Sequence, residues 1–159
     1  MIILGIDPGL ARVGYGVIYA QSGNYRAIEY GAVITQPNQL LEARLEDIYD
    51  SIYEIISRHK IDCVAIEELF FNTNLKTAVD VCQARGVTML AARKNKIDIY
   101  EYTPLQIKQS VVGYGRADKQ QIIYMTKLLL KLKEAPKLDD TADALAVAIC
   151  HGNFMLHKY

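Results

Sequence analysis

Short-spaced cysteine pairs are missing from this sequence, although it contains three cysteines. A disulfide framework or a zinc site would need pairs of cysteines at short spacing. Cys63, Cys82 and Cys150 are far apart, and each lies in an apolar segment. We therefore expect three buried free thiols in a reducing compartment.

Long apolar runs are missing as well. No run approaches the roughly 18 residues that a membrane span requires, and the N-terminal residues show neither a basic leader nor a cleavage site. These absences favour a cytoplasmic protein that makes no membrane contact. With 159 residues, of which 51% are hydrophobic and 23% charged, the chain has the composition of one soluble globular domain over residues 1–159.

The sequence carries no net charge, which alone argues against a nucleic-acid partner, but its charges are segregated. Residues 76–137 contain 12 Lys and Arg against 5 Asp and Glu, a balance of +7. The remaining residues carry 6 basic and 13 acidic side chains, a balance of −7. Unless it is a chance excess on solvated helices, this segregation indicates a basic surface beside an acidic site or face.

Hydrophobic patterning predicts an α/β fold. Short apolar or β-branched runs predict strands at residues 2–6, 13–19, 25–35, 62–66 and 97–100. Helical spacing and capping signals predict helices at residues 40–58 and 77–93, after Thr103-Pro104, after Asp118, and from about residue 139. Three consecutive strands favour an antiparallel meander, and the later alternation favours parallel additions. We predict one mixed five-stranded sheet flanked by helices on both faces.

Two carboxylates end buried strands. Asp7 follows the first apolar run and opens an Asp-Pro-Gly turn, and Glu67 follows the apolar run of residues 64–66. Ligands usually bind at strand ends in a sheet covered by helices, although an aspartate also favours such a turn by itself. If the two strands are neighbours, the carboxylates meet at one sheet edge. Because side chains alternate along a strand, only one of Glu67 and Glu68 can serve.

The last predicted helix opens with three aspartates, Asp139, Asp140 and Asp143. Either of the first two could cap the helix, but Asp143 lies in an Ala, Leu, Val and Ile run that must be largely buried. At about 100° per residue, Asp143 lies roughly 60° from Asp140 and roughly 40° from Asp139. Either pair therefore places two carboxylates on one face, and the spacing does not choose between the pairs.

These acids predict a metal site. Buried charges without partners are costly, and the acidic segments contain no nearby lysine or arginine to neutralise them. An all-oxygen ligand set suits Mg²⁺ or Mn²⁺ rather than zinc. Two such ions, about 3.5–4 Å apart, are a common arrangement for in-line phosphodiester hydrolysis, in which one activates water and the other stabilises the leaving oxygen. We expect a two-metal site for Mg²⁺, with Mn²⁺ able to substitute.

Five stretches of the sequence stand in a characteristic order: Gly5-Ile6-Asp7-Pro8-Gly9, Ala65-Ile66-Glu67-Glu68-Leu69-Phe70, Gln83-Ala84-Arg85-Gly86-Val87, Lys108-Gln109-Ser110-Val111-Val112-Gly113 and Asp140-Thr141-Ala142-Asp143-Ala144-Leu145-Ala146. Together they resemble the RuvC family of bacterial Holliday junction resolvases over almost the whole chain. The resemblance implies a ribonuclease-H-like fold and a homodimer that nicks opposed strands of a four-way DNA junction symmetrically. The implied products carry 5′-phosphate and 3′-hydroxyl ends, and the implied partners are the branch-migration proteins RuvA and RuvB.

The resemblance also assigns roles to residues. The catalytic, metal-binding acids are implied to be Asp7, Glu67, Asp140 and Asp143. Asp139 is then left as a neighbour and helix cap.

DNA contacts are implied at Lys108, Lys119 and Phe70, and Arg116 in the same basic part of the chain is a further candidate. Both lysines match phosphate-contacting positions of the family, and Lys119 also stands at a predicted helix start, where backbone N–H groups attract phosphate. Phe70 matches a position that stacks on a splayed base, whereas the role of Phe71 stays open. For Arg116, a DNA contact and a solvated surface charge are alternatives.

Other interpretations remain for comparison. A nuclease for RNA or flap DNA shares the fold, and a sugar-kinase-type phosphotransferase would need a second lobe for which 159 residues leave no space. A junction-binding protein without catalysis would leave the acids as caps and turns, which the acid pair in the final apolar helix argues against. The helix at 77–93 is apolar almost all round, so we expect it to form the dimer contact.

Overall fold

The computed structural model describes residues 1–69 and 75–156, without the side chains of residues 75–77. These residues form, in chain order, β1 (Ile2–Asp7), β2 (Arg12–Gln21), β3 (Asn24–Ile34), α1 (Leu41–His59), β4 (Cys63–Glu67), α2 (Leu75–Lys94), β5 (Asp98–Tyr102), α3 (Pro104–Val112), α4 (Lys119–Leu129) and α5 (Asp139–Leu156). Every predicted helix and strand is present within a few residues of its expected bounds.

The five strands form one mixed sheet in the order β3-β2-β1-β4-β5. The first three strands pair antiparallel, and β4 and β5 add in parallel to β1. Helices α1 and α2 cover one face, and α3, α4 and α5 cover the other. This architecture confirms the predicted ribonuclease-H-like fold, including the meander followed by parallel strands.

Strand alternation distributes the side chains of β1 between two apolar cores. Leu4 and Ile6 are fully buried against α1 and α2, whereas Ile3 is buried against α5. Because alternate side chains share a face, Asp7 lies on the same side of the sheet as Ile3. The first strand therefore directs its terminal carboxylate toward α5.

Local capping explains where α3 and α4 begin. Thr103 and Gln106 bond reciprocally at the start of α3, where Pro104 occupies the first helical position. Asp118 and Gln121 form the same reciprocal pair at the start of α4. These caps place Lys119 at the first helical position of α4, as the sequence predicts.

The cysteine prediction is correct for two residues and wrong for one. Cys63 and Cys150 are buried, and burial raises the pKa of each thiol to about 12. Cys82 is exposed. It lies on α2, of which this chain covers only the side that packs on α1 and the sheet, so an apolar segment did not guarantee burial. Within the described ranges, no helix is long and apolar enough to cross a membrane.

Candidate active site

The ends of β1 and β4 bring the first two predicted acids together. The two strands are parallel neighbours, and Ile6 pairs with Ile66, so Asp7 and Glu67 follow at equivalent positions. Cys63 and Ala65 pack toward α5, and alternation therefore turns Glu67 to the same face as Asp7. Glu68 is exposed, while its backbone N–H bonds to the Tyr102 carbonyl oxygen at 2.8 Å. Of the two adjacent glutamates, Glu67 is the one that joins Asp7.

Two glycines allow α5 to pack closely against the sheet. A Cβ atom on Gly5 would lie 2.0 Å from the Ala144 carbonyl oxygen, and one on Gly14 would lie 2.0 Å from the Asp140 carbonyl oxygen. Gly14 is the register partner of Asp7. The absence of side chains at Gly5 and Gly14 thus lets the first turns of α5 bring Asp140 and Asp143 to the edge where Asp7 lies.

The electrostatics of Asp7 show that the acids share one site. Burial, followed by the negative charges of Asp143, Glu67 and Asp140, raises the pKa of Asp7 to about 8, and Lys119 only partly opposes this. Burial and Asp143 likewise raise the pKa of Glu67 against the positive charges of Lys108 and Lys119. The site therefore holds more negative charge than its cations neutralise, which favours a bound cation or a proton.

Lys119 connects α4 to the acids of α5. Its Nζ lies 3.2 Å from Asp143 Oδ2 and 3.2 Å from Asp139 Oδ2. Burial raises the pKa of Asp143, while Lys119 lowers it by its charge and hydrogen bond. Partial burial lowers the pKa of Lys119, but Asp143 and Asp139 outweigh this effect and raise it.

A cleft of about 200 Å³ lies over this arrangement and is lined by Glu67, Pro104, Ile107, Lys108, Lys119, Ile122 and Asp143. Two predicted lysines thus stand beside two predicted acids. A larger depression of about 640 Å³ lies at the opposite end of β2, near Tyr19 and Tyr25, away from this group of acids. The predicted acids and lysines, rather than volume, therefore make the smaller cleft the candidate site.

Arg12 is a site residue that the sequence analysis did not single out. Its Nη1 lies 3.3 Å from Asp140 Oδ2 at the start of β2. The sequence places no lysine or arginine within the acidic segments, and tertiary packing brings Lys119 and Arg12 to the acids from other segments. In the sequence, an arginine three residues after an Asp-Pro-Gly turn carried no recognisable signal.

Three further predictions have distinct outcomes. Asp139 is expected to cap the last helix but is instead the first residue of α5, at the predicted helix start, and pairs with Lys119. Arg116 is exposed in the loop between α3 and α4 and does not line the cleft. Phe70, like Phe71, lies outside the described residues.

The donor set fits a hard divalent cation by its chemistry. Asp7, Glu67, Asp140 and Asp143 offer only carboxylate oxygens, the ligands that Mg²⁺ and Mn²⁺ prefer. In residues 1–69 and 75–156, no three acidic, histidine or cysteine side chains yet enclose a metal-sized position. Asp140 and Asp143 instead contact Arg12 and Lys119. The charge surplus at Asp7 still favours a cation in this open arrangement, because carboxylate side chains reorient easily whereas buried charge must be compensated.

Comparisons with known proteins agree on one family. The family model for crossover junction endodeoxyribonuclease RuvC matches residues 3–151. The crossover junction endodeoxyribonuclease RuvC of Clostridioides difficile is 58% identical over 153 residues, which cover 96% of this chain and 90% of that protein. The protein of the same name from Alkaliphilus metalliredigens is 56% identical, with 96% and 93% covered.

Solved structures give the same result. Thermus thermophilus RuvC superposes with a TM-score of 0.93 at 33% identity, covering 99% of this chain and 97% of that one. The same bacterium's RuvC in complex with a Holliday junction substrate superposes with a TM-score of 0.95 at 33% identity, covering 99% and 96%.

Proposed function

Because the chain belongs to the RuvC family of crossover junction endodeoxyribonucleases, we propose that it resolves Holliday junctions by metal-dependent phosphodiester hydrolysis, as a single nuclease domain over residues 1–159. The observation that carries this proposal is the convergence of the acids beneath two lysines. Asp7 and Glu67 end neighbouring parallel strands, and Asp143 reaches the same cleft from α5. The acids of such a cleft can bind metal cations, and these cations and the lysines can then bind a polyanionic substrate.

The proposed ligands of two Mg²⁺ ions, for which Mn²⁺ can substitute, are Asp7, Glu67, Asp140 and Asp143. When bound, the ions supply an activated water and charge stabilisation for in-line displacement at phosphorus. Asp7, whose pKa is raised to about 8 by burial and by the neighbouring acids, binds a cation as the anion and so gives up any proton it holds. Ligation competes with the Asp140–Arg12 and Asp143–Lys119 ion pairs.

The lysines orient the substrate in this proposal. Lys108 and Lys119 line the cleft beside Glu67 and Asp143, where a scissile phosphate between them would be neutralised. Lys119 is also the first residue of α4, whose N-terminal N–H groups attract anions. We further propose that Phe70 stacks on an unpaired base next to the cut and that Arg116 contacts the flanking DNA.

The paired cuts require two sites, which we assign to a homodimer formed through α2. Val79 and Leu90 on this helix are 55% and 49% exposed, although both are apolar. Each protomer would nick one of two opposed strands, leaving 5′-phosphate and 3′-hydroxyl ends. RuvA and RuvB are proposed partners in recombination and DNA repair, with the cytoplasm as the location.

The experiment that tests this function uses an end-labelled synthetic four-way junction. The protein is incubated with it in Mg²⁺ or in EDTA, beside a linear duplex and an RNA–DNA hybrid. Paired symmetric nicks confined to the junction and lost in EDTA are expected. Junction binding without cutting would indicate a structural protein, and preferential cutting of the hybrid would indicate a different nuclease of this fold.

An isosteric variant locates the chemistry. Asp7→Asn is expected to abolish cutting while junction binding persists, because the amide has nearly the same shape but cannot form the anion that binds the cation. Asp50→Asn, an exposed position on α1, is the matched control and should cut like the unmodified protein. If Asp7→Asn cuts at the normal rate, the metal-site assignment is wrong.

A further inference from the structure

Hydrogen bonds hold the backbone just before Arg12 at the end of the sheet where Asp7 lies. Thr35 is buried, and its hydroxyl donates to the Leu10 carbonyl oxygen at 2.6 Å while its N–H donates to the Ala11 carbonyl oxygen at 3.1 Å. Arg44 Nε in turn donates to the Thr35 hydroxyl at 2.8 Å. The residues just before Arg12 therefore have little freedom, and its side chain starts from a defined point.

The Arg12 side chain is suited to bind a second anion. One contact, from Nη1 to Asp140 at 3.3 Å, orients the guanidinium, yet 49% of the side chain is exposed. The group is planar and has five N–H donors, so a single carboxylate oxygen uses only part of its capacity. A half-exposed ion pair contributes little to stability, which leaves fold maintenance a weak reason for this arrangement.

Strand order places Arg12 and the lysines on opposite sides of Asp7. In the sequence of strands β2-β1-β4, Arg12 begins β2 and Glu67 ends β4, with Asp7 on the strand between them. Lys108 and Lys119 share the cleft with Glu67. The acidic centre therefore has positive charge on both flanks, and not only in the lysine-lined cleft.

We propose that Arg12 binds a DNA phosphate on the β2 side of the active site, with Asp140 orienting the guanidinium while the site is free of metal; this rests on the proposed junction-resolving function. A DNA backbone crosses an acidic centre only against electrostatic repulsion, and cations on both flanks offset that cost. The fork of arginine donors matches the oxygens of a phosphate better than an ammonium does. Arg12 is thus a binding residue for the strand that is cut, beyond the lysine contacts.

The first test measures junction binding in EDTA, so that it does not depend on catalysis. Arg12→Gln is expected to weaken junction affinity by about fivefold and to reduce the slope of log Kd against log salt concentration by about one, as loss of one phosphate contact predicts. Arg12→Lys should recover most of the salt slope. Arg26→Gln, which removes the same charge from an exposed position on β3, is the control and should leave the slope unchanged.

The second test locates the contact. Junctions that carry one neutral methylphosphonate at successive positions around the cut are bound by the unmodified protein and by Arg12→Gln. At one position, the neutral linkage should weaken the unmodified protein but not the variant, because both changes remove the same contact. Equal weakening of both proteins at every position would overturn the proposal, as would a salt slope in Arg12→Gln that matches the unmodified protein.

The two proposals fail separately. If the unmodified protein binds the junction but never cuts it, the resolving function is wrong, and the salt slopes and methylphosphonate positions still decide whether Arg12 binds phosphate. Thermal unfolding of Arg12→Gln and Arg12→Lys accompanies both tests, and midpoints close to that of the unmodified protein are expected because the ion pair is half exposed.

Discussion

At the scale of single residues, Lys119 contacts two aspartates at the start of α5. It lies between Asp139 and Asp143 and opposes the raised pKa of Asp7. A residue in this position both limits the repulsion among the acids and offers a cation to the scissile phosphate. These two tasks predict a larger effect on turnover than on folding.

Lys119→Met should therefore lower the cleavage rate by about 10²-fold, the usual size for loss of one preorganised charge in an active site. Lys127→Met, on the same helix but without a contact to these acids, is the control. Single-turnover cleavage of the labelled junction measures both. Equal rates for the two variants would mean that Lys119 is only a surface charge.

A second cluster predicts how stability depends on pH. Glu29 on β3 accepts hydrogen bonds from Tyr15 at 3.0 Å and from Arg58 at 2.8 Å, and it lies 2.7 Å from His59 Nε2. Partial burial raises the pKa of Glu29, but the bonds from His59 and Tyr15 and the charge of Arg58 outweigh it, so the pKa is lowered. The folded protein thus stabilises the ionised form of Glu29 more than the unfolded chain does.

The lowered pKa of Glu29 makes the folded protein more stable at neutral pH than in acid. Stabilisation by Glu29 is complete above its unfolded pKa of about 4.3 and is lost as the pH falls through the lower pKa of the folded state. Glu29→Gln should cost about 1 kcal/mol at pH 7 and less at an acidic pH, where the Glu29 carboxylate of the unmodified protein becomes protonated. Urea unfolding at both pH values checks this. Glu54→Gln, whose side chain is 73% exposed beside the same arginine, should change little at either pH, and a pH-independent loss in Glu29→Gln would contradict the assignment.

The sequence predicts some of these residues and not others for a physical reason. Asp7 and Glu67 end apolar strands, and Asp143 interrupts an apolar helix, so local pattern alone marks them as unusual. Arg12 and His59 interact with residues far away in the chain, Asp140 and Glu29. Such pairs depend on tertiary packing, which periodicity does not report.

At the scale of elements, the position of α5 on the sheet decides whether the acids meet. Gly14 and Gly16 on β2 both face this helix, but they meet different atoms. A Cβ on Gly14 would lie 2.0 Å from the Asp140 backbone oxygen, whereas one on Gly16 would lie 2.5 Å from the end of the Leu145 side chain. A side-chain end can shift, but a helix backbone must move as a whole.

Gly14→Ala is therefore expected to displace the start of α5 and to lower cleavage by about 10²-fold, since small misplacements of catalytic groups have effects of this size. Gly16→Ala should destabilise the fold by about 1–3 kcal/mol through overpacking but keep cleavage within about tenfold. Circular dichroism, chemical unfolding and junction cleavage separate the two outcomes. Similar activity losses at matched stability would show that α5 placement is not the cause.

Element types and order could be predicted because strands and helices here have clear periodicity and clear caps. Exact helix starts could not, and Asp139 illustrates this. Whether it precedes α5 or begins it depends on the bond from the Ala142 N–H to the Leu138 carbonyl oxygen, formed at 3.3 Å, and on its ion pair with Lys119. Neither interaction can be predicted from the residues next to Asp139 in the sequence.

At the scale of the whole molecule, the segregated charges bear on DNA binding, and the exposed side of α2 bears on dimer formation. The basic segment of residues 76–137 contributes Lys108 and Lys119 to the cleft, and the acidic remainder of the chain contributes Glu67 and Asp143. The predicted basic surface therefore lies directly beside the acids. On α2, Ala84 and Ala91 are fully buried within the chain. At about 100° per residue, Val79 and Leu90 lie on the opposite side of the helix, together with Cys82 and Gly86.

Gly86 has no neighbour within 4 Å of a hypothetical Cβ, and Cys82 beside it is exposed. A small residue between exposed apolar ones would let a second α2 approach closely, which is the basis of the proposed dimer. Leu90→Glu should then produce a monomer in analytical ultracentrifugation and turn paired cuts into single, uncoordinated nicks. The Cys82 thiol should also react faster with a thiol reagent in this variant, because the partner no longer covers it. Leu128→Glu, at a 57% exposed site on α4, should remain dimeric and cut in pairs. If Leu90→Glu stays dimeric and still makes paired cuts, the two active sites are joined through a different surface, and α2 is covered by another partner.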